Sequence, residues 1–462
     1  MFKTYYLHMF LAFAILTPVS GQAESQGPAN SIPRRLSLPQ AENLMIERNL
    51  TVLAAKYQVE VNRAARLISS YKPNPVLTVG AEQTPFLSPL AGSVPRFWHT
   101  NPDAGANPVY TLRIDKIWER GGKRELRTEA ADEQLQASEA QLLDAMRTLI
   151  FQLRRAFAAA TLARENLKLA ETAEQQYRQT ETLTQAKADQ GDIARVEIYR
   201  ASAGRLQYQQ AVLQAQTAYG VAVRDVLNLL GARREDIQTA IAEIPRVQPA
   251  SLSANEPQAS QLPAAPLELI SNFDDGVVPE TLEQLRSIAL AERPDVAAAR
   301  HQLEAATTGL QLAEAQRVRD VDTAYEYQRV GNDHTLGFVV QVPLFLYNNQ
   351  RALISQADAQ KRTAEAQLKQ AELQAITDVE KAYQGYLSSR RVLDLYNIQN
   401  LSQVERLRSI AAVSYREGGS SLFEFLDAQR AYNQAMTSYN QARYDYQMAL
   451  WELEQATGHA VR

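Results

Sequence analysis

Two hydrophobic periods alternate along this chain, and their order predicts its architecture. From residue 123 to 190 there is neither Gly nor Pro. Apolar residues recur there in steps of four and three at Leu135, Leu142, Met146, Leu149, Leu153, Ala156, Ala160, Ala163 and Leu167, with Glu139 as the exception. This is the spacing of helices packed along a heptad seam. At 1.5 Å per residue such a helix extends about 100 Å, longer than an ordinary globular helix. A second stretch keeps the register at Leu368, Ala375, Val379, Ala382 and Tyr386, and the abundance of Ala lets its neighbours approach closely. Shorter helical stretches are expected over 39–71, 191–231, 280–318 and 420–457. Stacked end to end, 191–231 with 280–318 and 420–457 with 39–71, each pair matches one long helix.

Between the shorter and the longer helices the period changes to two. "HTLGFVVQVPLF" sets Leu336, Phe338, Val340 and Val342 against Thr335, Gly337, Val339 and Gln341. "DVDTAYEYQ" sets Val321, Thr323, Tyr325 and Tyr327 against Asp320, Asp322, Ala324, Glu326 and Gln328. "VYTLRID" sets Tyr110, Leu112 and Ile114 against Thr111, Arg113 and Asp115. Strands with one apolar and one polar face follow, at about 76–86, 109–118, 320–329 and 334–345, with a tight turn at Gly331. Their lengths suit a tilted crossing of a bilayer. The polar faces would turn Arg113, Asp115, Asp320, Asp322 and Glu326 into a barrel lumen. Four strands cannot close a barrel, so the chain must oligomerise; two copies give eight strands and three give twelve. Tyr71, Trp118, Phe345 and Tyr347, with Pro73, Pro75 and Pro343, mark where strands meet helices, as at a membrane interface.

The chain repeats itself. Arg155-Ala156-Phe157 matches Lys381-Ala382-Tyr383, and Gly191 and Gly231 match Gly418 and Gly458. "VLAAKYQVE" from Val52 resembles "VAAARHQLE" from Val296. The organisation predicted is a signal peptide over 1–23, an N-terminal linker over 24–38, a first repeat over 39–231, an inter-repeat linker over 232–279 and a second repeat over 280–462. The linker, rich in Pro, Ser, Ala and Gln, falls midway along the bundle as a belt. "ADQGDIARVEIYRA" from Ala188 and "YREGGSSLFEFLDA" from Tyr415 are helix breaks of one design.

Lys3, the apolar run "LHMFLAFAILTPV" and the small residues Gly21 to Ala23 read as a cleaved export signal, too short to span a bilayer. The 48 basic and 52 acidic residues give a net charge of −4 without long runs of either sign, which argues against a nucleic-acid partner. With no cysteine, disulfides and thiolate chemistry are excluded. The five histidines, His8, His99, His301, His334 and His459, lack ligand spacing. Gly121-Gly122-Lys123 lacks the rest of a phosphate loop and stands at a strand-to-helix junction. No enzyme, cofactor or resident metal is expected.

The helix-strand-strand-helix repeats, with "KPNPVLTVGAEQ", "ERGGKRELR" and "PLFLYNNQRA", resemble TolC-like outer membrane efflux factors over nearly the whole mature chain, and within them the heavy-metal, CzcC-like branch. That branch often has Gly where Arg351 stands here. The resemblance implies a mainly α fold with a small transmembrane β part: a homotrimer whose twelve strands form one outer membrane barrel, continued by a tunnel of twelve helices across the periplasm. It implies a passive exit duct fed by a periplasmic membrane-fusion adaptor and an inner membrane pump of the RND type. The hairpins at Gly191 and Gly418-Gly419 would be the periplasmic tips, where the adaptor docks. There Asp189, Asp192 and Glu417 would form charged rings favouring cations, while Tyr415 and Arg416 hold neighbouring helices. A multidrug or type I secretion duct would share the fold, and a periplasmic coiled-coil scaffold would share the heptads but not the strands.

Overall fold

The computed structural model describes residues 35–82, 109–232, 268–270, 273, 276–345 and 349–459. The signal segment, most of the linker, the long loop between the first two strands and Tyr347 lie outside the described residues. The first unit runs β1 (Arg35–Ser37), α1 (Leu38–Arg48), α2 (Leu50–Ser70), β2 (Val76–Glu82), β3 (Val109–Trp118), α3 (Lys123–Asp189) and α4 (Val196–Leu229). After β4 (Glu268–Ile270) the second runs α5 (Leu282–Glu292), α6 (Pro294–Ala315), β5 (Val321–Val330), β6 (Asp333–Gln341), α7 (Arg351–Leu395), α8 (Ile398–Arg416) and α9 (Leu422–Thr457). No described helix is long and apolar enough to cross a membrane.

The four long strands form one antiparallel sheet in the order β2-β3-β5-β6. Its register lines apolar side chains across all four strands. Leu77, Ile114, Tyr325 and Phe338 make one row, and Val79, Leu112, Tyr327 and Leu336 the next. The opposite face carries Thr78, Arg113, Glu326 and Gly337, then Gly80, Thr111, Gln328 and Thr335. β6 stops at Gln341, two residues before Pro343, which has no N–H to donate to a ladder.

α3 is flanked on one side by α2 and α4 and on the other by α6 and α9, and α7 lies beyond these. The shorter helices do stack end to end, but within each repeat rather than across repeats as the lengths alone suggested. Asn49 Nδ2 donates to the Leu229 carbonyl at 2.9 Å, seating the end of α4 at the α1–α2 joint. In the second repeat Arg293 Nη1 donates to the Ala456 carbonyl at 3.1 Å, seating the end of α9 at the α5–α6 joint. Length is blind to this choice; side chains that satisfy the last carbonyls of a helix decide it.

Each shorter upper helix is also broken where one helix was expected. Asn49 and Arg293 both leave the helical region, with φ/ψ of −66/124 and −65/124. The two joints are otherwise built alike. Ser37 N–H donates to Gln40 Oε1 at 3.1 Å, and Thr281 N–H to Gln284 Oε1 at 2.9 Å, so α1 and α5 open on the same capping arrangement. The long helix of the second repeat is interrupted too. Asn397 accepts from Asn400 N–H at 2.9 Å, while Asn400 Nδ2 donates to the Leu395 carbonyl at 2.7 Å. These side-chain bonds replace the helical ladder between α7 and α8.

The end of the inter-repeat segment is fastened to the helices. β4 pairs in parallel with β1, burying Leu36 and Leu269 in a core with Met45, Leu153, Phe157 and Leu227. Phe273 joins Ala158, Met448 and Trp451, and Val278 N–H donates to Tyr386 Oη at 3.1 Å. A three-residue strand in a Pro- and Ser-rich segment has no readable period, so β4 is not legible along the chain.

Arg293 is only 3% exposed. Its guanidinium meets Asp295 at 2.7 Å and Asp378 at 3.1 Å. Burial works to raise the Asp295 carboxyl, but the bonds and charge of Arg293 outweigh it and hold the group below its ordinary value. A depressed carboxylate contributes stability above its unfolded value that is lost as pH falls through the folded one, so this joint loosens in acid. Arg293→Ala removes a buried guanidinium from two half-buried carboxylates and from the Ala456 carbonyl, and should cost about 2–3 kcal/mol. Asn49→Ala removes a neutral cap and should cost about 1 kcal/mol. Urea unfolding of the detergent-solubilised variants, followed by far-ultraviolet circular dichroism, measures the difference.

Candidate functional site

The polar face of the sheet concentrates charge around Arg113. Its Nη2 lies 2.6 Å from Asp115 Oδ1 and its Nη1 3.7 Å from Glu326 Oε2, while Gln328 donates to Glu326. One oxygen of Asp322 is buried without a hydrogen-bond partner among the described residues. Asp320 does not share this surface in the way expected. It stands just before β5, where Oδ1 accepts from Arg120 N–H and from Lys123 Nζ, both at 2.9 Å. It ties the start of β5 to the start of α3.

The same junction explains two sequence features. Gly121 has φ +78, and a Cβ there would stand 2.9 Å from that of Val318, so the double glycine serves strand-to-helix packing. At the matching junction of the second repeat the left-handed residue is Gln350, φ +63, the single described non-glycine residue with positive φ. Arg351 already belongs to α7, so its backbone does not need glycine. On the apolar face, Trp118 Nε1 donates to Thr323 Oγ1 at 2.9 Å and Lys116 Nζ lies 4.0 Å from the Trp118 ring centre. An aromatic ring with a cation beside it suits the level where hydrocarbon gives way to headgroups.

At the other end of the molecule the two helix breaks are one motif. Gly191 N–H bonds to Ala188 O at 3.1 Å and Asp192 N–H to Lys187 O at 3.0 Å. Gly418 N–H bonds to Tyr415 O at 3.3 Å and Gly419 N–H to Ser414 O at 2.7 Å. Gly191 and Gly418 have φ of +86 and +81, which glycine adopts without a Cβ penalty.

Tyr415 joins the two tips. It is 4% exposed, its hydroxyl shares a 2.8 Å hydrogen bond with Thr184 Oγ1, and its ring stacks on Phe425 at 5.6 Å. Lys187 Nζ donates to the Tyr415 carbonyl at 2.6 Å and lies 4.8 Å from the ring centre. Lys187 and Thr184 were not singled out from sequence. Their signals were a cation in the last helical turn and Thr180 and Thr184 four residues apart on one face. Asp189, which accepts from Gln185 at 2.9 Å, is exposed, as are Asp192, Glu417 and Arg416. No hydrogen bond or ion pair ties Arg416 to another described residue of the chain.

The family model for outer membrane efflux proteins matches residues 285–459, the second repeat. That match spans the second repeat, less than half of the chain. No curated protein matches the chain in sequence. Solved structures share the fold at low identity. The outer-membrane channel OprN aligns with a TM-score of 0.68 at 21% identity, covering 92% of this chain and 90% of that one. CusC aligns with a TM-score of 0.68 at 17% identity over 91% and 92%, and the Campylobacter jejuni CmeC outer membrane channel with 0.70 at 15% over 92% and 86%. The likeness is one of fold: long packed helices joined to a small antiparallel sheet.

Tyr415→Phe keeps the stack on Phe425 and removes the bond to Thr184. It should weaken the tip junction by about 1 kcal/mol. In planar bilayers the variant should spend more time in higher-conductance levels than the wild type.

Proposed function

We propose that three copies assemble into one continuous duct through the outer membrane and periplasm, an exit path for heavy-metal cations delivered by an inner membrane pump of the RND type through a membrane-fusion adaptor. The observation that carries the assembly is the open sheet. β2 and β6 are its edges, and a membrane-length sheet with an apolar face cannot leave edge N–H and C=O groups in hydrocarbon. With four strands, the two edges run antiparallel to one another, so β6 of one copy can pair with β2 of the next. An eight-stranded barrel is filled by its own side chains, and three copies are the smallest number that leaves a channel.

The helices support the same closure. Tyr57 and Val61 on α2 and Tyr199 and Leu206 on α4 are exposed on one edge of the protomer, and Leu395, Ile398, Leu407 and Ile410 on α7 and α8 are exposed on the other. Each edge is the partner the other lacks. The cargo rests on the heavy-metal-like motifs and on the carboxylates at the tips. Repeated threefold, Asp189, Asp192 and Glu417 would concentrate cations where the tunnel narrows, and the adaptor would dock on the hairpins that carry them.

Replacing Asp189 and Asp192 together by Asn should lower the cation-to-anion permeability ratio in planar bilayers. Unchanged selectivity would remove the tip from the mechanism. A deletion strain should become sensitive to Co²⁺, Zn²⁺, Cd²⁺, Ni²⁺ or Cu⁺ and be rescued by the gene. Sensitivity confined to hydrophobic drugs and detergents would keep the duct and replace its cargo.

A further inference from the structure

Between α3 and α7, on the surface of α9, lies a groove of about 500 Å³. Val392, Ala442, Met448 and Ala449 give it an apolar floor, and Arg155, Tyr444, Asp445 and Glu452 a polar rim. All of it comes from one chain, and α3 and α7 are the neighbours of α9 within that chain, so ring closure between copies leaves the groove intact. The inter-repeat segment crosses α9 at Tyr446, whose hydroxyl donates to the Gly276 carbonyl at 2.5 Å, and at Arg443, which lies 5.1 Å from the Phe273 ring centre. Tyr446 points about 200° around the helix from Tyr444, at 3.6 residues per turn. Asp445 and Glu452 on the rim thus turn away from the belt, whose Phe273 reaches the groove only at its floor, through Met448. In the duct proposed above, on which this inference rests, the face opposite the belt is the lumen.

Gly385 marks the groove as more than a gap in packing. It sits inside α7, where glycine costs about 1 kcal/mol relative to alanine. Its backbone is ordinary helix, and a Cβ built on it would meet nothing within 4 Å. Neither close approach nor conformation calls for glycine there; what it leaves is room in the groove. The rim is chemically selective as well, with two carboxylates against one guanidinium. Burial raises the proton affinity of Glu452, with Arg155 opposing, and burial likewise raises that of Tyr444. Such a carboxylate gains from a further cation whose own hydration is weak, and Tyr444 lines the same groove with an aromatic ring.

We propose that this groove is a lumenal binding site for organic cations, an onium group or protonated amine carrying an apolar body. The apolar part would lie on Met448 and Val392 and the charge beside Glu452, Asp445 and Tyr444. A hydrated metal ion would gain nothing from the apolar floor, so the site would serve a second class of cargo, or an organic blocker of the duct.

The test is equilibrium dialysis of the full-length, detergent-solubilised protein with tetraphenylphosphonium, using tetraphenylborate as an anion of the same shape. Saturable binding of one tetraphenylphosphonium per chain is expected, with no saturable binding of tetraphenylborate. Glu452→Gln should weaken binding about tenfold, and Gly385→Leu, which fills the groove from a position with space to spare, should abolish it. Absence of saturable binding, equal binding of the anion, or indifference to both substitutions would overturn the proposal. Planar-bilayer recordings of the same preparations separate the two readings. A protein that conducts without binding overturns the groove alone, whereas one that binds without conducting keeps the binding site and overturns the duct.

Discussion

Everything in this molecule depends on the unmet hydrogen bonds at the two edges of a four-stranded sheet. In water an edge strand is merely sticky; in hydrocarbon each unpaired backbone group costs several kcal/mol. The apolar rows through Ile114 and Leu112 suit this sheet to hydrocarbon, where that cost would apply. The closure between copies proposed above would remove it, and would require that the helices below also meet at their edges. In the proposed assembly, the pairing of β6 with β2 and of the α7–α8 rod with the α2–α4 stack would be one requirement expressed at two levels.

A wall of helices about 100 Å long needs each position filled along its whole height. α3 does this as a single rod of 67 residues. The other positions are assembled from pieces, and the molecule spends polar side chains on the seams. Asn49, Arg293 and the Asn397–Asn400 pair each satisfy carbonyls or N–H groups that a helix end would strand. The seams are not equal: the first repeat uses a neutral amide, and the second a buried guanidinium held by two carboxylates. Duplicated units have thereby acquired joints of different chemistry, and the charged one anchors the helix that carries Phe425 to the tip.

The two ends of the protomer solve opposite problems. At the sheet, charge is gathered on one face and hidden from lipid; at the tip, the apolar contact is small and the carboxylates are solvated. Tyr415 carries the junction there because a ring can stack on Phe425 while its hydroxyl reaches Thr184 across the repeat boundary. The groove on α9 lies between these ends.

What the sequence determined by itself was everything local and periodic. The heptads of α3, the alternation in β3, β5 and β6 and the two glycine tips depend on neighbours a few residues apart, and 3.6 and 2 are readable periods. Duplication made the reading firmer, because each element was written twice. The tertiary structure alone decided the contacts that carry no period. Which helix stacks on which is set by Asn49 and Arg293 reaching carbonyls 180 and 163 residues away. That β4 pairs with β1, that Asp320 serves the Lys123 junction, and that Lys187 rather than Arg416 grips Tyr415 within the chain follow from distances in space. Such single polar contacts leave no pattern along the chain, because one side chain meeting one distant atom has no repeat to betray it.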